Sequence, residues 1–408
     1  MIFSNHPSKT MRELSGNYKK IFWIEALFYV NFVNLISTLF YLERGLTLPH
    51  VFWLAIIYSI TNTITEIPSS YLADFWGRKK TIVLGGIFLM FSYIVSIFSH
   101  NFLHFAIAFT LYSASIAFIS GTNEALLYDT NKELGKHADS FKKLSQYLAA
   151  KHFFKIFATV LTGFIAVNLT DNEFILVYAL NAFVAFVVIA ISLTLVESRH
   201  SMDVSKMERG ILIDSLLLFR RQKLLRTAMF NKTLIFISSL IVFMIYQKMF
   251  IDLGLTLSSI GIIWSIGHLL RYSIKNRMVS FFSKPNYGVY INNINNIIAL
   301  LFLTCILLIN FFPNGYLILF IVMIMTVLEG IREPLFSHYY NHLSHSYNRA
   351  TTLSMTSMLK NFLDIPFMLL TSILVTYNQY HVFTVSFFIC LIVIIFFRVP
   401  ELSVPRQN

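Results

Sequence analysis

The chain has 408 residues, 56% of them hydrophobic and only 13% charged, about half the roughly 25% charge of ordinary globular proteins. That arithmetic excludes a water-soluble fold, a disordered chain and a nucleic-acid module, and repeated apolar runs of about twenty residues point to a polytopic protein whose solvent is lipid. The formal net charge of +12 therefore matters through its placement beside the bilayer.

A polar tail precedes the first apolar run, which lacks a small-residue cleavage site and reads as an uncleaved helix. Runs long enough to cross ~30 Å of hydrocarbon predict helices near 21–41, 51–72, 81–99, 103–128, 145–169 and 174–196. The polar stretch 197–226 contains GILIDSLLLF followed by RRQKLLR and reads as a linker with an amphipathic helix at the headgroups. Six further helices are predicted near 227–250, 256–274, 287–311, 315–341, 352–376 and 381–398. Continuous apolarity without strict alternation favours helices over barrel strands, because each helix satisfies its own backbone in lipid. The expected fold is an all-α membrane protein of 12 transmembrane helices, with 1–196 and 227–408 as its two halves.

Basic residues collect in alternate loops, from Arg78 to Lys80, Lys132 to Lys143, the linker, and Arg271 to Lys284, whereas Arg44 stands alone on the other side. Retention of Lys and Arg in the cytoplasm predicts that both termini and the linker are cytoplasmic. Cys305 and Cys390 both lie in apolar runs with no neighbour at metal or redox spacing, so neither a disulfide nor a metal site is expected.

Shifting the sequence by 209 residues aligns Gly121 with Gly330, Glu124 with Glu333, Leu126 with Leu335, Leu134 with Leu343, Leu144 with Leu353, Ser145 with Ser354 and Lys151 with Lys360. These identities fall in 31 ungapped positions, where about two would arise by chance. Two parallel six-helix repeats follow, and parallel repeats place a substrate site at their interface near mid-bilayer.

Charges inside spans cost about 2.5–3.5 kcal/mol each on insertion scales, so they demand partners or a watery cavity. Glu25, Glu66, Glu124 and Glu333 are such groups, as are Lys151 and Lys155 on one helix and Lys360 and Asp364, four residues apart, on another. The repeat pairs Glu124 with Lys151 and Glu333 with Lys360 as two pseudo-equivalent bridges. A bridge of this kind reads first as a structural brace. The functional alternative is a carboxylate that takes up a proton as its Lys moves away.

Residues 66–80, EIPSSYLADFWGRKK, form the most specific string. It resembles motif A of the major facilitator superfamily through Leu72, Ala73, Asp74, Gly77, Arg78 and Lys79, with Ser70 and Phe75 replacing the usual glycine and basic residue. Gly77 suits the tight reversal between helices 2 and 3, and Arg78 is a multi-donor group able to hold a carboxylate. The resemblance implies a latch of Asp74, Arg78 and Asp129 on the cytoplasmic side. It also implies a central cavity lined from helices 1, 4, 7 and 10, with Asn31, Asn34, Tyr246, Gln247, Glu329 and Arg332 as candidate groups and Glu25 as a proton site.

The strings SGTNEALLYD at 120–129 and EGIREPLFSHYYNHLSHSYNRATTLS at 329–354 are similar to a bacterial efflux subgroup of that family. The implied activity is proton-coupled efflux of small amphipathic or hydrophobic compounds by a monomer in a bacterial inner membrane, with no cofactor. Two antiporter signatures are missing: an arginine in the apolar part of helix 4, and the glycine and proline pattern of motif C in helix 5. Uptake of a metabolite by proton symport is the alternative. An intramembrane acyltransferase-like enzyme is disfavoured because neither HExxH nor GxSxG occurs, and no GxxxxGK[ST] loop supplies ATP binding.

Overall fold

The computed structural model describes residues 9–134, 154–197, 222–281, 287–343 and 349–401. No strand occurs among them. A short helix α1 (Lys9–Ser15) leads into α2 (Asn17–Phe28), a 3-10 turn at Val33–Leu35 and α3 (Ser37–Glu43). Then come α4 (Leu48–Trp76), α5 (Arg78–Ile97), α6 (Phe102–Glu133), α7 (Phe154–Ile165) and α8 (Asp171–Leu193). The remaining helices are α9 (Lys223–Asp252), α10 (Leu257–Phe281), α11 (Tyr287–Phe311), α12 (Gly315–Leu343), α13 (Arg349–Leu374) and α14 (His381–Phe396).

Seven of these, α5, α6, α8, α9, α11, α12 and α13, contain stretches long and apolar enough to cross a membrane. The first apolar run adds an eighth only as a broken span, because Glu13–Leu35 and Ser37–Glu43 meet at 49°. The continuous helix expected at 21–41 is thus corrected to two pieces. At 29 residues, α4 reaches about 43 Å, but it is not among the seven, and Thr61, Asn62, Thr63 and Thr65 place polar groups near its middle. Thr63 and Thr65 donate to the carbonyls of Ser59 and Thr61 one turn back, so their hydroxyls are satisfied within the helix.

Local chemistry sets several ends. Thr170 and Glu173 form a reciprocal capping box at the start of α8. Gly77 joins α4 to α5 with φ 105°, a left-handed conformation that a side chain would strain.

The helices before residue 197 pack mainly on one another, α5 against α6 and α8, α4 against α6, and α2 against α8. After residue 222 the same order of neighbours recurs, with α11 against α12 and α14, α10 against α12, and α9 against α14. The two sets meet chiefly where α4 packs on α13, with further contact of α3 and α4 on α9. Gly163 of α7 and Gly261 of α10 allow another close approach: a Cβ on Gly261 would lie 3.0 Å from the Thr159 carbonyl oxygen. Phenylalanines divide between core and perimeter, Phe40, Phe52, Phe105 and Phe174 being buried while Phe98, Phe164, Phe183 and Phe312 are exposed.

Candidate functional site

The break in the first span is stabilised by polar groups from four other positions. Asn31 Oδ1 accepts the Asn34 N–H at 3.2 Å, and Asn181 Oδ1 of α8 accepts the Phe32 N–H at 3.3 Å. The Thr162 hydroxyl donates to the Phe32 carbonyl at 2.9 Å. On the other side, the Asn34 carbonyl receives Gln247 Nε2 at 2.7 Å and the Tyr246 hydroxyl at 3.2 Å, both from α9. Non-helical backbone at membrane depth survives only where protein or a cavity satisfies it. Both conditions hold here.

The break opens onto a central cavity of about 340 Å³ between the two sets, within the range of about 300–1,000 Å³ typical of small-molecule sites. Asn31, Asn34 and Thr38 form one wall, and Ser59, Ser92 and Ser96 supply hydroxyls from α4 and α5. Tyr58, Tyr93, Tyr112 and Tyr178, from four different helices, make a connected aromatic layer with ring centroids 6.1 to 6.3 Å apart. Phe236, Phe243 and Met244 of α9 face them.

The charges that line this cavity are Lys360 and Asp364, one turn apart on α13 and 2.7 Å from each other. Asp364 is 1% exposed and also accepts the Ser59 hydroxyl of α4 at 3.0 Å. One turn away, Asn361 Nδ2 donates to Asn62 Oδ1 at 2.9 Å. The ion pair therefore sits on the seam between the sets.

A second chamber of about 410 Å³ is lined by Lys232, Arg271, Glu329, Arg332, Glu333 and Lys360, with Thr233, Thr326, Thr356 and Ser357 between them. Arg332 is 2% exposed, and its Nη2 donates to the Asn231 carbonyl at 3.1 Å and to Asn231 Oδ1 at 2.9 Å. Its guanidinium lies 5.2 Å from the Phe336 ring centroid.

At the loop between α4 and α5, Arg78 Nη1 is 2.7 Å from Asp129 Oδ2, and both side chains are buried. Glu197 caps α5 by accepting the backbone N–H of Arg78 at 2.7 Å and of Lys79 at 2.9 Å, placing a carboxylate on the positive end of the helix. Asp74 is half-buried near the end of α4. The Arg78 pair joins α5 to α6 within one set and does not span the two.

The structure thus separates the candidates. Asn31, Asn34, Lys360 and Asp364 line the central cavity, Tyr246 and Gln247 brace its broken helix from behind, and Glu329 and Arg332 belong to the second chamber. Glu25 is 4% exposed and accepts a hydrogen bond from Asn123 Nδ2 at 3.3 Å inside the first set, outside both cavities. Glu66 is half-buried in α4, while Glu124 is exposed. Lys151 lies outside the described residues, so its bridge to Glu124 does too.

The bridge of Glu333 to Lys360 is replaced. Lys360 pairs with Asp364, since a four-residue spacing on one helix places the carboxylate within immediate reach. Arg271, counted with the basic residues of a loop although it falls within the helix predicted near 256–274, lies inside α10. Sequence reasoning also missed the five tyrosines that line the central cavity, Tyr41 with the four of the aromatic layer, and Lys232 and Glu197. The only signals for them were basic residues inside apolar runs and a carboxylate directly after helix 6.

The sequence matches the profile of the Major Facilitator Superfamily over residues 21–365. No curated protein matches the sequence. Among solved structures, a variant of the nucleoside transporter NupG superposes with TM-score 0.75 at 13% identity, covering 94% of this chain and 98% of that one. A D-xylose-proton symporter gives TM-score 0.71 at 13% identity, with coverage of 96% and 98%. A POT family transporter crystallised with 5-aminolevulinic acid gives 0.67 at 13% identity, with coverage of 97% of both chains. With its family profile spanning most of the sequence and the same fold in solved transporters, the chain belongs to the Major Facilitator Superfamily and is a membrane transporter, not an enzyme.

Proposed function

We propose that the protein exports small amphipathic compounds in exchange for protons, by alternating access of the central cavity to the two sides of a bacterial inner membrane. The observation that carries this reading is the polar and aromatic cavity at the broken first span, with the Lys360–Asp364 pair on its wall at the seam between the helix sets. Discontinuous helices at a repeat interface are a recurrent way to build a transport site. Hydroxyls, amides and tyrosine rings suit a compound with an apolar body and a few polar groups. Asp364 is the proposed proton acceptor, because a proton there would release Lys360 and weaken the Ser59 contact across the seam.

In this reading the chain has twelve spans in two parallel repeats, 1–196 and 227–408, joined by the 197–226 linker, and both termini are cytoplasmic. The recurring order of helix neighbours supports the duplication. The Arg78–Asp129 pair then braces the cytoplasmic end of the first repeat. The protein acts as a monomer.

A second reading, uptake by proton symport, is favoured by the hydroxyl-rich wall and by the likeness to a D-xylose-proton symporter. Proteoliposomes with an imposed pH gradient separate the two. Antiport predicts substrate-dependent alkalinisation of the compartment that receives the substrate, whereas symport predicts its acidification. Proton flux unaffected by any solute in a broad amphipathic panel refutes both forms of coupling.

A further inference from the structure

The two chambers lie along the same pair of helices. On α9 the wall passes from Lys232 and Thr233 through Phe236 to Leu240, and on α13 from Thr356 and Ser357 through Lys360 to Asp364. Thr356 and Asp364 are about 12 Å apart along the helix axis. Phe236 and Lys360 border both spaces, and the Lys360 ammonium lies 5.4 Å from the Phe236 ring centroid. The chambers therefore meet at this contact.

Their chemistry differs sharply. The central cavity is neutral apart from one internal ion pair, whereas in the second chamber Lys232, Arg271, Arg332 and Lys360 face two carboxylates, Glu329 and Glu333. Even with Lys360 offset by Asp364, three cations face two carboxylates among the described residues that line the chamber. The Nε atoms of Arg271 and Arg332 are buried and have no hydrogen-bond acceptor among the described residues, and Thr233 Oγ1 is in the same condition. Buried donors on charged groups are unfavourable unless an acceptor reaches them, and planar guanidinium groups match carboxylate and phosphate oxygens.

We propose that the second chamber holds the carboxylate or phosphate end of an amphipathic organic anion whose apolar body extends past Phe236 into the central cavity. The assignment deepens the transport reading and rests on it for the statement that the anion is cargo. A neutral compound of the same shape leaves the arginine donors unanswered, and a cationic one meets the excess positive charge. Lys360, at the junction, is positioned to exchange Asp364 for the incoming acid.

The test is equilibrium binding to the full chain in phosphatidylcholine nanodiscs, with phenylbutyrate, phenylbutanol, phenylbutylamine and inorganic phosphate as probes. Phenylbutyrate is expected to bind about 10-fold more tightly than the alcohol, and the amine more weakly than either. In Lys232→Gln and in Arg271→Gln, each checked for an unchanged melting temperature, the preference for the acid falls to about 3-fold or less. If Arg271→Gln does not fold, the half-buried Lys232 position carries the test alone. Equal affinity for acid and alcohol in the unaltered protein, or an undiminished preference in the folded variants, overturns the proposal. So does inorganic phosphate binding as tightly as phenylbutyrate, which would leave no role for the apolar body. Loss of the preference on adding phosphatidylglycerol to the disc would assign the chamber to a lipid headgroup instead and also overturn it. Phenylbutyrate that binds with the expected preference but is not exchanged by proteoliposomes refutes the transport reading while the anion site stands. Exchange of phenylbutanol without any preference for the acid does the reverse.

Discussion

Replacing Asp364 by Asn isolates the ion pair on which the proposed coupling rests. The residue is 1% exposed, its carboxylate is 2.7 Å from Lys360 Nζ, and Ser59 Oγ approaches at 3.0 Å. Asn keeps the shape and an acceptor for Ser59, so the substitution removes the charge and little else. Breaking one partner of a buried pair costs about 3–5 kcal/mol. Because the Lys360 side chain is 24% exposed and opens on the cavity, water partly solvates the orphaned ammonium, and we expect the low end, about 3 kcal/mol.

Lys360→Met combined with Asp364→Asn removes that ammonium and is expected to recover about 2 kcal/mol, a coupling of the size seen for residues in one network. Unfolding of the unaltered protein, both single variants and the double variant in mixed micelles measures the cycle. Losses that add within about 0.5 kcal/mol refute the pair as an energetic unit. In proteoliposomes, Asp364→Asn is expected to retain exchange at equal pH on both sides while losing accumulation driven by a pH gradient; gradient-driven accumulation at the unaltered rate refutes Asp364 as the proton acceptor.

Arg78→Ala removes the guanidinium that lies 2.7 Å from the Asp129 carboxylate and is expected to cost about 2 kcal/mol in the same unfolding assay, whereas Asp74→Asn, at a half-buried position, stays within about 0.5 kcal/mol; equal effects would contradict the brace. Glu197→Ala removes two acceptors from the first turn of α5 and should lower stability by about 1 kcal/mol, with no loss counting against the cap. Gly261→Leu forces α10 away from Thr159 and Gly163 and should abolish exchange at normal expression, while Gly121→Ala, whose added Cβ meets nothing within 4 Å, serves as the neutral control; full exchange by the leucine variant refutes the packing argument. Gln247→Ala leaves the Asn34 carbonyl with Tyr246 alone; it should destabilise by about 1 kcal/mol and slow exchange, and an unchanged rate would show that the break needs no support from α9.

Helices such as α8 were legible because most of their positions are hydrophobic and the run is long enough to cross a bilayer. The first span was only half legible. Asn31 and Asn34 are two amides in an apolar run, and the break they occupy depends on Thr162, Asn181, Tyr246 and Gln247, all more than a hundred residues away. Arg271 lies near the end of the helix predicted at 256–274 and is grouped by sequence with loop cations, but the helix continues to Phe281 and Arg271 lines a chamber. The sequence repeat pairs Lys360 with Glu333, whereas in the structure Lys360 lies 2.7 Å from Asp364, the carboxylate one turn along its own helix, where the four-residue spacing places it within immediate reach. The five cavity tyrosines share no motif, and aromatic content alone does not distinguish a cavity wall from a lipid-facing surface.

How the polar contacts are distributed bears on which of them a transport cycle can break. The ion pairs Arg78–Asp129, Arg44–Asp171 and Lys360–Asp364 each lie within one helix set. Contacts that cross the seam include Ser59 to Asp364, Asn361 to Asn62, Gln247 to the Asn34 carbonyl and Ser258 to the Gly163 carbonyl. Neutral hydrogen bonds contribute only about 0.5–1.5 kcal/mol each, whereas splitting a buried ion pair costs several times more. Relative motion of the sets can therefore exchange seam hydrogen bonds for water while Arg78–Asp129 and Arg44–Asp171 hold elements of the first set together; Lys360–Asp364 lies within one helix and ties no second helix. Ser59 to Asp364 is the exception among these four seam contacts, because its acceptor is charged and its strength depends on whether Asp364 carries a proton. Under the proposed proton coupling, opening the seam in response to protons needs one such contact among weaker neutral ones, and the Ser59–Asp364 contact beside the cavity is the one the proposal assigns to that role.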